Sequence, residues 1–122
     1  MTEPHEVLAA WDAGEVPDRA AVKDAVKRTL AVLVAAAPGR AVEVRVPPYA
    51  AVQAVGGTTH RRGTPPAVVE CDARTWLGLA TGALTWDEAV SDGRVRASGE
   101  RSDLSHLLPL ATGGVDAERV EP

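Results

Sequence analysis

The sequence predicts an α+β domain with helices packed on one face of a small sheet. Three observations point there: a long amphipathic segment precedes the first strand, three strand-like runs follow one another with no helix between them, and short capped helices alternate with a brief strand after residue 72. Strands in direct succession are expected to pair largely antiparallel, because a parallel pair needs a long crossover.

Along residues 4–13, Val7, Leu8 and Trp11 share one helical face, and Gly14 can close the helix. After Pro17, Asp18 is the expected N-cap of a longer helix. Val22, Val26, Leu30, Leu33 and Ala37 recur on its apolar face, and Lys23, Asp24, Lys27 and Arg28 lie on another, before Pro38-Gly39 ends it. Val42-Glu43-Val44-Arg45-Val46 alternates strictly, the period of a strand with one buried face. Pro47-Pro48 interrupts pairing because neither residue has an N–H, and residues 49–55 then read as a second strand. Residues 56–66, rich in Gly, Thr, Arg and Pro, read as a mobile loop, and residues 67–71 as a third strand. Asp72 caps a helix carrying Trp76, Leu77 and Ala80, which Gly82 ends. Thr85-Trp86-Asp87-Glu88 has the form of a capping box for another short helix that ends at Gly93. Val95 and Ala97 mark a brief strand, and Asp103 is expected to open a final helix bearing Leu104, Leu107 and Leu108 before Pro109. The domain division that results is a short helix and linker over residues 1–17, the main domain over 18–110, and a flexible tail over 111–122.

Composition narrows the functions open to this chain. Its 122 residues are 45% hydrophobic and 25% charged, the balance of one globular domain, neither disordered nor embedded in a membrane. A net charge of −4 argues against general nucleic-acid affinity, which needs a clustered cationic excess. The lone Cys71 excludes an internal disulfide and fits a reducing cytoplasm. The N-terminal residues lack the charged and apolar regions of a secretion signal, and the longest apolar run has eight residues, far short of the roughly twenty that span a bilayer. The apolar residues are mostly small: 22 Ala and 17 Val against ten Leu, three Trp and no Phe or Ile.

The chain carries little that resembles catalytic machinery. Cys71, in the third strand just before a helix, is either a reactive thiol or a buried structural residue. His5, His60 and His106 are scattered without the spacing of metal ligands, so no metal is expected. Asp87 and Glu88 are explained by a helix start, and Gly56-Gly57 lacks the context of a phosphate loop. His60-Arg61-Arg62 is the one local cationic cluster in an otherwise acidic chain, either a solvated loop or an anion site. Trp11, Trp76 and Trp86 fill space that Ala and Val cannot, and an interior lined by small aliphatics and indoles is either a packed core or a pocket.

The run from Asp72 through Trp76, Gly82, Trp86 and Gly93 to Gly99 resembles the second half of sterol carrier protein-2 domains: capped helix, glycine break, short helix, glycine turn, strand ending near Gly, leucine-rich closing helix. Val42-Glu43-Val44-Arg45-Val46-Pro47-Pro48 and Arg62-Gly63-Thr64-Pro65-Pro66 resemble the bacterial, actinobacterial branch of that family, and the likeness covers about residues 18–110. The resemblance implies a mixed or mostly antiparallel five-stranded sheet with helices on one side, enclosing an apolar tunnel for a sterol-like molecule, fatty acid or fatty acyl-CoA. It implies no catalytic set and no cofactor. The eukaryotic peroxisomal targeting tail is not found at the closing Val120-Glu121-Pro122, so a bacterial cytoplasmic protein is expected.

Periodicity and resemblance together nominate Val52, Trp76, Leu77, Ala80, Trp86, Val90, Leu104, Leu107 and Leu108 as the lipid-binding wall, with Arg61 and Arg62 as headgroup contacts. The expected function is noncatalytic binding of a small hydrophobic ligand. The alternative is an accessory module with a filled core that supports a partner protein.

Overall fold

The computed structural model describes residues 2–57, 67–99 and 101–110. The chain runs through α1 (Pro4–Asp12), α2 (Arg19–Ala36), β1 (Val42–Val46), β2 (Ala50–Ala54), β3 (Ala67–Glu70), α3 (Ala73–Thr81), α4 (Trp86–Ser91) and β4 (Arg96–Ser98). It is an α+β fold with four α-helices and a four-stranded mixed sheet in the order β2-β1-β3-β4.

The sheet is one-sided because its strands alternate. Val42, Val44 and Val46 of β1 are fully buried, and register sets them beside Ala54, Val52 and Ala50 on β2, with Ala67 and Val69 on β3 beside Val42 and Val44. On the opposite face, Arg45 reaches Glu43 at 3.1 Å and Glu70 at 3.8 Å, an exposed polar row. Hydrogen bonding to Glu43 raises the Arg45 pKa further, so this guanidinium stays charged throughout the working pH range. The helices form the second layer: α2 packs on β2 and α3, and α1 lies across α2 and α3. Val7 enters the core, and Asp12 accepts a hydrogen bond from Arg74 at 2.8 Å, which ties residues 1–17 to the rest of the domain.

One expectation about the sheet is corrected. The resemblance implied five strands, whereas the described residues form four, the number that the alternation along the chain supports. The mixed, mostly antiparallel pairing is as expected, with two of the three ladders antiparallel. β1 and β2 form an antiparallel hairpin, but β1 and β3 pair in parallel. β3 does reverse direction relative to β2; it then docks on the far side of β1 instead of beside β2, and two reversals restore the direction of β1.

The closing helix expected from Asp103 is reduced to a single 3-10 turn, Ser105–Leu107. Asp103 Oδ1 accepts from the Ser105 N–H at 2.9 Å, which starts the turn, and Pro109, with no N–H to donate, leaves no room for a second one. The brief strand is displaced by one residue, to Arg96–Ser98. Asp18 stands at the N-cap of α2, but its side chain makes no capping hydrogen bond. The expected tail, residues 111–122, lies outside the described residues.

Candidate functional site

Local hydrogen bonding builds a corner at the end of the helical layer. Asp72 accepts from the Thr75 N–H at 2.9 Å and starts α3; Gly82, at φ 91°, ends it in the left-handed region that glycine tolerates. The chain then turns back, with the Leu84 N–H donating to Gly78 at 3.1 Å, and a Cβ on Gly78 would stand only 3.1 Å from that of Leu84. Thr85 and Glu88 close a reciprocal capping box at 3.1 and 3.0 Å, fixing the start of α4. The Thr85 N–H that Glu88 accepts also holds the Glu88 carboxyl below its usual range. Finally the Leu110 N–H donates to Ala80 at 3.0 Å, returning the last described residues to α3.

Between these pieces lies an open groove of about 260 Å³, with Leu84, Trp86, Leu108 and Pro109 as its apolar lining and Thr85, Asp87 and Ser105 as polar lining, beside Gly82. Trp86 and Leu108 were among the expected wall residues. Leu84 and Pro109 were not, because neither belongs to a periodic apolar face; the Gly78 and Gly82 backbones that let them approach are the only local signal.

The other expected wall residues divide into three groups. Trp76, Leu77, Ala80 and Leu104 lie in the core, at no more than 1% exposure. Trp76, Leu77 and Leu104 are the most deeply buried of them. Trp76, the largest of them, occupies the space between the small Ala and Val side chains of this core. Val52 and Leu107 are half-buried against that core. Val90 is 45% exposed and faces solvent, a correction to its place in the wall: Ala89, fully buried, takes the inward position on α4. Arg61 and Arg62 lie outside the described residues.

A polar link locks the filled interior. The Trp76 indole N–H donates to the Thr29 hydroxyl at 2.8 Å, and that hydroxyl donates to the Ala25 carbonyl at 2.8 Å. Both buried polar groups are thereby satisfied, which fixes one orientation of the indole.

Cys71 is 5% exposed. Burial, and then the charges of Asp72 and Glu70, push its thiol up to about 12. A thiol with so little thiolate at neutral pH is a poor nucleophile. Labelling of Cys71 by a disulfide reagent at pH 8 is expected to be slow in the folded protein and to rise at least a hundredfold on unfolding in denaturant. Rapid labelling of the folded chain would restore the reactive-thiol reading. Among the described residues no cluster of His, Cys, Asp or Glu is arranged to hold a metal, and no helix is long and apolar enough to cross a membrane.

Residues 18–110 match a family model described as a bacterial SCP ortholog, SCP denoting sterol carrier protein. No curated protein matches the chain.

Proposed function

The chain belongs to the bacterial sterol carrier protein ortholog family, and from that premise we propose that it binds a lipid noncatalytically, without a cofactor, in the bacterial cytoplasm. The family match carries this reading, and the groove at Trp86 supplies a place for the ligand to start. Its volume of about 260 Å³ falls just below the roughly 300 Å³ at which small-molecule pockets begin, so it takes the end of an acyl chain and not a whole sterol. Each buried methylene contributes about 0.8 kcal/mol, so six of them give roughly 5 kcal/mol before the costs of association. Asp87 at the rim disfavours a carboxylate there, so the methyl end of a fatty acid or fatty acyl-CoA goes in first. A longer chain reaches the interior only if the 104–110 segment yields. Its described backbone ties are one 3-10 turn and the Leu110 to Ala80 bond.

Displacement of a fluorescent fatty acid tests the proposal. Saturable binding is expected, accompanied by a change in Trp86 emission and weakened at least tenfold in Leu108→Glu, which places a charge in the groove. No saturable binding, together with no lipid in native mass spectra of the purified protein, would remove the carrier reading. The closed packing around Trp76 favours a second reading, an accessory module that supports a partner protein; it predicts that same negative result.

A further inference from the structure

A second cleft lies between the start of α2 and the turn joining β1 to β2, away from the Trp86 groove and sharing no residue with it. It measures about 280 Å³ and is lined by Arg19, Ala20, Lys23, Pro48 and Tyr49, with no carboxylate among them. The turn is set by the Tyr49 N–H donating to Val46 at 2.9 Å, which carries the half-buried Tyr49 ring to the cleft. Arg19 and Lys23 stand one helical turn apart on the exposed side of α2, and Lys27 continues the same row beyond the cleft. Both lysines of a chain whose net charge is −4 therefore fall on this row.

The row is also unneutralised. Every other described arginine on a helix is paired: Arg28 with Asp24 at 2.8 Å and Arg74 with Asp12 at 2.8 Å. Among the described residues, neither Arg19, Lys23 nor Lys27 has an ion-pair partner, and the neighbouring carboxylate of Asp24 is taken by Arg28. The Tyr49 hydroxyl likewise makes no hydrogen bond within the described residues. The cleft thus combines a guanidinium fork, an ammonium and a phenol hydroxyl, with no carboxylate in its lining.

We propose that this cleft binds a phosphate group, with Arg19 and Lys23 supplying the charge and Tyr49 a further hydrogen-bond donor. Two cations match the charge of a phosphate monoester near neutral pH better than that of a single carboxylate, and the guanidinium fork fits two phosphate oxygens at once. The phosphate has two sources, a soluble phosphorylated molecule or the headgroup of a phospholipid. The proposal does not depend on the carrier reading, since a chain that binds no fatty acid can still bind phosphate here.

The test uses the full chain in two arms. In the first, inorganic phosphate and pyrophosphate are titrated at low salt while amide shifts are followed. Saturable shifts confined to residues 19–24 and 47–50 are expected, weakened about fivefold for each of Arg19→Gln and Lys23→Gln and fading as added salt screens the charges. In the second, cosedimentation with vesicles containing phosphatidic acid, whose headgroup is a phosphate monoester, is compared with phosphatidylcholine vesicles. Binding to the former, lost in the Arg19→Gln/Lys23→Gln double variant, assigns the phosphate to a lipid headgroup; phosphate binding without vesicle binding assigns it to a soluble molecule. All three substitutions are of exposed side chains, and unchanged amide shifts elsewhere report an intact fold. No saturable shift and no vesicle binding overturns the proposal. So does an equal loss in Lys27→Gln, since that residue lies outside the cleft and would be reporting diffuse charge.

Discussion

Trp76→Ala is expected to destabilise the domain by about 3–5 kcal/mol, the largest effect of any single side-chain truncation in this core. Trp76 is the largest of the fully buried side chains, and its helix α3 is held against α1 and α2, which cannot both close around an alanine. The measurement is the denaturant midpoint with its slope unchanged. Thr29→Val separates volume from polarity: it keeps the shape but leaves the indole N–H of Trp76 without its 2.8 Å acceptor, at about 1–3 kcal/mol. A Trp76→Ala loss below about 1.5 kcal/mol would mean that the core around it is loosely packed, and would make an open lipid cavity more credible. The variant also bears on function: if it folds and gains affinity for short acyl chains, the space Trp76 occupies is the space a ligand would need.

The second large effect is expected at Gly39→Ala, about 3–5 kcal/mol, although Gly39 lines neither of the two grooves described above. Its φ is 146°, and a Cβ there would stand 2.3 Å from the Val55 carbonyl oxygen, backbone that cannot swing aside. The contact is forced by how α2 is joined to the sheet. Val55 donates to the Ala37 carbonyl at 2.6 Å and accepts from the Ala41 N–H at 2.9 Å, so it is held on both sides of Gly39. Val55 itself sits at φ 69°, a left-handed conformation that a β-branched residue adopts only at a cost of about 1–3 kcal/mol. Thermal unfolding measures the combined strain and overlap. A shift in Tm of less than about 3 °C would show that this turn rearranges freely.

What the sequence made legible was local. Asp72, Gly82 and the Thr85–Glu88 box were found in place because each capping bond closes within a few residues. The strand Val42–Val46 was found because alternation states directly which side chains are buried. Apart from the uncapped Asp18, the shortened closing helix and the displaced last strand, the failures lay at long range or in competition between neighbours. Thr29 interrupts an apolar helix face as an apparent blemish, and only the fold reveals that it serves an indole 47 residues away. Val90 and Ala89 are adjacent on a six-residue helix, too short for periodicity to decide which one points inward. The side of β1 on which β3 docks has no local signature, so the parallel pairing went unread. The groove escaped for a related reason: Leu84 and Pro109 meet through two glycines and a returning chain end, contacts that no single stretch contains.

That same parallel pairing carries a consequence for the time course of folding. The β1–β2 hairpin closes across a three-residue turn, whereas the β1–β3 seam joins residue 42 to residue 67 and must wait for a much larger loop to find its ends. Formation of the sheet therefore begins at its β2 side, and the β1–β3 and β3–β4 seams follow, so amides of the hairpin are expected to gain protection from exchange before those of β3.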